Sequence, residues 1–512
     1  VSLYLLLLVL SGCSTLPEIA NRTPSMAYID TGNTTLGSAI ASSLAEHPGL
    51  SGFLLLDNGL DAFVGRAVLS RFAERSIDVQ YYLYHDDLVG RLFTSQLVQA
   101  ADRGVRVRLL VDDMDLDGRD LSLAVLDAHP DIEVRIFNPF SRNVSRISQF
   151  ITRLGSVTRR MHNKSFIVDN QATILGGRNI GNEYFDADPN LAFGDLDVIG
   201  IGPVVKKVSY SFDLYWNSEL AYPASALRGK EPTTEEITRH RQQLQDFLAD
   251  QYDSAYFKAL RNSALAEKIK NNQAEFRWGY ADVVFDFPEK IQHSLDQTQL
   301  HLSSQLKPFL ENLERDLIIF SPYFVPGKKG AEFLIGLVKK GVRVRVLTNS
   351  LSSNDVAIVH AGYSRYRKRL LRGGVELYEV NKQLTPQKRQ DKKAAGGSSK
   401  ASLHAKSFVL DRKQVFIGSL NLDPRSLLQN TEIGVIIDQA DIAQGMATWF
   451  DKNIESVAFR LELVKGQDET ESILWHGIAD GEAITFDVDP YTSFWRRLGI
   501  GIMGILPIES QL

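Results

Sequence analysis

The sequence predicts an α/β protein made of two copies of one domain, each an α/β/α sandwich. Three observations predict it. From residue 51 onward, helical and strand-like patterns alternate, the arrangement of layered α/β domains. The stretch GVRVRLLVDD at 104–113 returns as GVRVRVLTNS at 341–350, 237 positions later. MHNKSFIVDNQATILGGRNIGNEY at 161–184 returns as LHAKSFVLDRKQVFIGSLNLDPRS at 403–426, with His162 and His404 242 apart. Two independent pairs at nearly equal offsets mark the duplication of a domain-sized unit.

Taken in order, residues 63–73 read as a helix and 76–84 as a strand. Residues 88–104 have a 3.6-residue apolar period, with Gly104 as a stop, and 105–113 is the next strand. The second copy reads strand 317–325, helix 331–341, strand 342–350. Strand–helix–strand order predicts a largely parallel sheet. The first domain is placed at 51–225 and the second at 276–512. Between them 226–275 is a helical connector, in which Thr233 and Glu236 fit a capping box ahead of 231–252. The basic stretch 382–402 reads as a disordered surface loop, or else as a mobile basic flap that meets an anionic lipid surface. The apolar, glycine-rich 498–508 reads as a buried closing strand or loop, or else as a membrane-dipping segment beside Trp495, Arg496 and Arg497.

The chain has 512 residues, is 44% hydrophobic and 23% charged, and so has the composition of a globular protein with more than one core. A net charge of −5 argues against a dedicated nucleic-acid binder, and none is expected as partner. The N-terminus is different in kind. Residues 1–12, VSLYLLLLVLSG, are an apolar run ending in small residues, then Cys13 follows as the single cysteine. This reads as a lipoprotein signal peptide over 1–12, lipidation at Cys13 and a tether over 13–50. It places the protein in a bacterial cell envelope, anchored in a membrane and facing the periplasm. No other stretch reaches 18 uninterrupted apolar residues.

Each copy of the motif reads His-x-Lys, four residues, Asp, six residues, Gly-[Gly/Ser]-x-Asn. The first supplies His162, Lys164, Asp169, Gly176, Gly177 and Asn179; the second His404, Lys406, Asp411, Gly418, Ser419 and Asn421. Side chains alternate along a strand, so His and Lys two apart share a face. Turns at Asp169 and Asp411 lead into return strands ending in small residues, which bring the asparagine back beside the pair. Lysine and asparagine suit phosphate oxygens, and histidine serves as nucleophile or general acid near neutral pH. Two copies place two histidines about one phosphorus. The aspartates read as structural. DDMDLDGRDLSLA at 112–124 imitates a calcium loop but has Ala124 where a bidentate glutamate is needed. No nucleotide-binding P-loop is present, and no metal or cofactor is expected.

These motifs resemble the HKD motifs of the phospholipase D superfamily. Within it, YYLYHDD, SPYFVPG and the terminal YTSFWRRLGIGIMGILPIESQL are most similar to bacterial cardiolipin synthases of the C type. The resemblance implies the phospholipase D fold, with one active site at the interface of the two domains. It implies phospholipid substrates and a phosphatidyl-histidine intermediate, His162 as nucleophile and His404 as acid. It also implies a carboxylate orienting each histidine from a following strand: Asp197 in the first half, with Asp195 as fallback, and Glu432 in the second. Cardiolipin formation from phosphatidylglycerol and a second phospholipid is the expected reaction. Hydrolysis to phosphatidic acid, a nucleic-acid phosphodiesterase and a non-catalytic binding lipoprotein are its rivals.

Overall fold

The computed structural model describes residues 16–17, 22–152, 155, 157–188, 192–271, 273–354, 356–382, 401–479 and 481–503. Cys13 and the basic residues 383–400 lie outside these. Among the described residues, nine strands belong to the first half: β1 (Ser51–Leu56), β2 (Ser76–Tyr81), β3 (Arg106–Asp112), β4 (Ile132–Phe137), β5 (Ser165–Val168), β6 (Ala172–Gly176), β7 (Ala192–Gly194), β8 (Asp197–Ile201) and β9 (Ala221–Pro223). The second half has β10 (Arg277–Phe285), β11 (Asp316–Phe320), β12 (Arg343–Thr348), β13 (Glu376–Val380), β14 (Ala401–Leu403), β15 (Ser407–Leu410), β16 (Gln414–Gly418), β17 (Ile433–Asp438), β18 (Ala458–Lys465), β19 (Glu471–Ala479) and β20 (Glu482–Phe486).

The duplication is plain in the sheet order. The first half runs β1-β8-β6-β5-β2-β3-β4-β9, and the second β10-β17-β16-β15-β11-β12-β13-β18, extended by β19 and β20. Among the described residues, the parallel pairings within each half are those of its central three strands, β2-β3-β4 and β11-β12-β13. The sheet is therefore mixed rather than largely parallel, because each motif folds as an antiparallel hairpin, β5-β6 or β15-β16. The hairpin turns need left-handed backbone, at Asp169 and Asn170 (φ 51° and 50°) and at Asp411 and Arg412 (φ 51° and 56°). Aspartate and asparagine tolerate that region best among residues with a side chain.

β10 joins the halves. Its first residues pair with β1 (Gly52↔Trp278) and its later ones with β17 (Val283↔Val435). One buried core is shared by both halves: it includes residues of the helices Pro203–Trp216 and Ala440–Val457 and joins Phe53, Leu110 and Val198 of the first half with Phe320, Val415 and Ile433 of the second in a single cluster. Each half also has a core of its own.

Two expectations for the flanks change. From residue 22 the predicted tether is bound to the first half. Ala27 N donates to Asp213 Oδ2 at 2.9 Å, Arg135 reaches Thr23 O at 2.8 Å, and Thr35–Glu46 is a helix. Buried arginines with spare donors capture an irregular polar segment that composition alone presents as a linker. Over the tail, Phe494–Met503 forms a surface helix, neither strand nor loop, in which Ile500 is the buried residue. The connector forms helices including Thr234–Gln251, with the Thr233–Glu236 capping box in place; Leu260 and Leu265 enter the first half's core. Among the described residues no helix is long and apolar enough to cross a membrane.

Candidate active site

Each histidine stands in the short extended segment ahead of its hairpin, and that segment docks onto the opposite half. His162 N donates to Thr431 O at 2.8 Å, and His404 N donates to Gly194 O at 2.8 Å. Beside the latter, β14 pairs with β7. The residue after each acceptor is an acid. Consequently the carboxylates are exchanged between halves: His162 Nδ1 lies 2.8 Å from Glu432 Oε2, and His404 Nδ1 lies 2.5 Å from Asp195 Oδ2.

This corrects the expected orienting residues. Glu432 serves His162, not His404. Asp197 orients neither; it binds buried Arg66 at 2.8 Å, accepts from Arg178 N at 3.2 Å and holds the helix Gly59–Phe72 to the sheet. The fallback Asp195 occupies the site. Ladder register explains this, since Gly176 faces Asp197 and Gly418 faces Gly434, which makes Asp195 the counterpart of Glu432. The signal was in the sequence: Asp195 and Glu432 are 237 apart, the same offset as Gly104 and Gly341.

The lysines lie on the histidine face of each hairpin. Lys164 Nζ donates to His162 O at 2.7 Å, and Lys406 Nζ lies 3.0 Å from His404 Nδ1. Asn179 is more constrained than expected: its Oδ1 accepts from Leu83 N at 3.2 Å and its Nδ2 donates to Tyr184 Oη at 3.0 Å. Asn421 is buried with its Oδ1 unpartnered. Asp169 accepts from the backbone N–H groups of Glu74, Arg75 and Ser76, and Asp411 from those of Glu314, Arg315 and Asp316. Both hold the chain entering the central strand and stand apart from the histidines. In the false calcium loop, Asp112 is bound to Arg160 and Asp113 to Arg142.

Several neighbours had no motif to announce them. Tyr82 packs edge-on against His162 with centroids 4.8 Å apart, and Tyr184 against His404 at 5.0 Å. Ser419 Oγ donates to Glu432. At the matching Gly177 a Cβ would stand 2.2 Å from Asp195 Oδ1. His85 lies 2.8 Å from Asp115 and 3.2 Å from Glu183, and so fastens the segment bearing Tyr82 to the one bearing Tyr184. Hydrogen bonds to these two carboxylates push its pKa up to about 10.

Both catalytic-motif histidines are buried, each 8% exposed. Burial, then the charges of Lys164, Lys406 and Arg425, hold His162 well below its usual pKa. Burial and Lys406 push His404 down to about 4 against the pull of Asp195. Burial also pushes Lys164 down to about 7 and Glu432 up to about 7. For Asp195 burial is outweighed by His404, Lys406 and Arg178, and its carboxyl stays well below the carboxylate range. At neutral pH each imidazole is thus neutral and leaves one ring nitrogen, Nε2, clear of its carboxylate. The site gathers two buried histidines with the cations Lys164, Lys406 and Arg425 and the carboxylates Asp195 and Glu432, so that two nucleophilic or basic nitrogens stand beside lysines able to bind an anion.

Two chain segments, 70–216 and 306–454, match the family described as "Cardiolipin synthase, PLD-like domain", and the protein belongs to this family of the phospholipase D superfamily. It is 40% identical over 477 residues to cardiolipin synthase C of Escherichia coli strain K12, covering 93% of this chain and 99% of that one. An uncharacterized protein of Helicobacter pylori strain J99 is 35% identical over 477 residues, covering 93% and 92%. Phosphatidylserine synthase of Haemophilus influenzae shares the fold at 13% identity, with a TM-score of 0.54 over 82% of this chain and 92% of that one.

Proposed function

We propose that the protein is a phosphatidyltransferase that makes cardiolipin from phosphatidylglycerol and a second phospholipid. The observation that carries it is the pair of buried histidines, each held by a carboxylate from the opposite half and flanked by a lysine. The near full-length likeness to cardiolipin synthase C supports the choice of reaction.

In the first step His162 Nε2 attacks the phosphorus of a donor phospholipid. The P–N bond forms as the bond to the headgroup alcohol breaks, and His404 gives that alcohol its proton. The bound phosphodiester raises the affinity of His404 for a proton, since its negative charge opposes the lysines that depress it. In the second step His404 takes the proton of a phosphatidylglycerol hydroxyl, whose oxygen attacks phosphorus and frees His162. Lys164 and Lys406 balance the charge on the non-bridging oxygens. Glu432 fixes the ring of His162 and Asp195 that of His404. Tyr82, Tyr184 and deep burial restrict water, which favours transfer over hydrolysis.

The reading includes a signal peptide over 1–12, lipidation of Cys13 and a periplasm-facing, membrane-bound enzyme, supported by the sequence LSGC at 10–13. Incubation with phosphatidylglycerol and phosphatidylethanolamine vesicles, followed by mass spectrometry of the lipids, tests the reaction. Cardiolipin is expected. Phosphatidic acid alone would make the protein a hydrolase, and unchanged lipids would refute an enzyme acting on them.

A further inference from the structure

The surface helix Phe494–Met503 turns an apolar face to solvent. Trp495 is 76% exposed and Phe494 62%, and Leu498 and Ile502 are exposed beside them. Two cations, Arg496 and Arg497, lie among these residues. Tryptophan with arginine is the pairing that suits the headgroup layer of a bilayer, and an exposed apolar helix face of this kind signals a surface meant to be covered. The helix is fixed in place. Just ahead of it Asp489 pairs with buried Arg367 at 2.8 Å, and Ile500 packs against Leu351 and Ala361.

Its seat leads to the catalytic site. Arg496 Nη2 reaches Asn354 O at 3.4 Å, in the segment 349–354 that also supplies Leu351. From that segment Asn349 exchanges two 2.9 Å hydrogen bonds with Leu403, and Ser353 O accepts from Ser402 Oγ at 3.0 Å. Leu403 is the neighbour of His404. One loop therefore carries both the exposed helix and the strand that presents a catalytic-motif histidine.

We propose that Phe494–Met503 is an interfacial helix that seats the protein on an anionic phospholipid bilayer, with the His404 side of the site turned toward the lipid. The proposal rests on the phospholipid-transferase reading and adds to it the surface that meets the membrane. Acyl chains on Cys13 would hold the protein near a bilayer without setting its orientation; a packed amphipathic helix sets it. The arginines select anionic over zwitterionic lipid.

The test uses the mature chain, residues 13–512, with Cys13→Ser, so that neither the apolar signal peptide nor an acyl chain contributes. Sedimentation with phosphatidylglycerol vesicles is compared for this protein and for one also carrying Trp495→Ser, Leu498→Ser and Ile502→Ser. Turnover of a soluble short-chain phosphatidylglycerol is measured on both. At least a tenfold weaker vesicle affinity is expected, with soluble turnover within twofold and weaker binding of the parent to phosphatidylcholine vesicles. Equal vesicle binding by the two proteins overturns the proposal. So does an equal loss of soluble turnover, which would make the helix a structural part of the site. Absence of soluble turnover in the parent would strike the transferase reading and leave the binding comparison standing. Trp495→Phe alone, a change too mild to unfold an exposed position, gives a second readout. Quenching of tryptophan emission by brominated lipid should fall with it, and undiminished quenching overturns the proposal.

Discussion

Asp195 and Glu432 hold equivalent positions but differ in charge state. Asp195 stays ionised throughout the working range, whereas burial brings Glu432 up to about 7. A permanently charged carboxylate 2.5 Å from His404 favours imidazolium there, which suits the acid. His162, held well below its usual pKa by burial and the nearby cations and paired with a carboxyl that itself titrates, suits the nucleophile. Replacing Asp195 by Asn removes a charge that raises the pKa of His404. The alkaline limb of kcat/KM, where the acid is lost, should then move to lower pH, and kcat should fall about 10²–10⁴-fold. Glu432→Gln acts on His162 and should leave the alkaline limb where it is. The pH profile of both variants on a short-chain lipid is the check. An alkaline limb that moves in Glu432→Gln but not in Asp195→Asn would mean that the histidine roles are reversed.

The hairpin is the element that carries the motif, and its small residues are fitted to the acids beside them. Glu432, the longer acid, leaves room for Ser419 and accepts its hydroxyl; Asp195 stands where any Cβ on Gly177 would touch its carboxylate. Gly177→Ala should therefore push Asp195 away from His404. The expected result is a kcat at least 10²-fold lower, with a stability cost of about 1–3 kcal/mol from overpacking. A Gly177→Ala enzyme with normal kcat would show that Asp195 is free to shift and still work. The motif aspartates predict the opposite split. Asp169→Ala strips an acceptor from the N–H groups of Glu74, Arg75 and Ser76. It should lower stability by about 1.5–3 kcal/mol, read from urea unfolding, with kcat of the folded fraction nearly unchanged. A collapse of kcat without loss of stability would place Asp169 in the chemistry.

At the scale of the molecule, what could be read from sequence was whatever repeats or alternates locally. The offset of 237 revealed the duplication, and the same offset relates Asp195 to Glu432. The alternation in MHNKSFIVD set His162 and Lys164 on one face. The exchange of carboxylates could not be read this way, because it depends on how one half is turned against the other. No local pattern encodes the bond from His162 N to Thr431 O, or β10 passing from β1 to β17. The capture of Thr23 and Ser25 by buried Arg135 and Arg108 escaped for the same reason: its partners are distant in sequence. That arrangement has a thermodynamic consequence. With a continuous sheet through β10, a core shared by both halves and a site built from both, neither half can unfold and leave the other's contacts intact. Calorimetry of the full chain should show one main transition despite the duplication, although chains of this length commonly unfold in stages. Gly279 lies at the handover in β10: it faces Ser51, and a Cβ there would stand 2.4 Å from Asp438 O. Gly279→Val should lower that single transition and reduce kcat together, since His162 and Glu432 are brought to one another across this junction. Two transitions in the unmodified protein, or a Gly279→Val variant that loses stability at full kcat, would show that the halves are held together elsewhere.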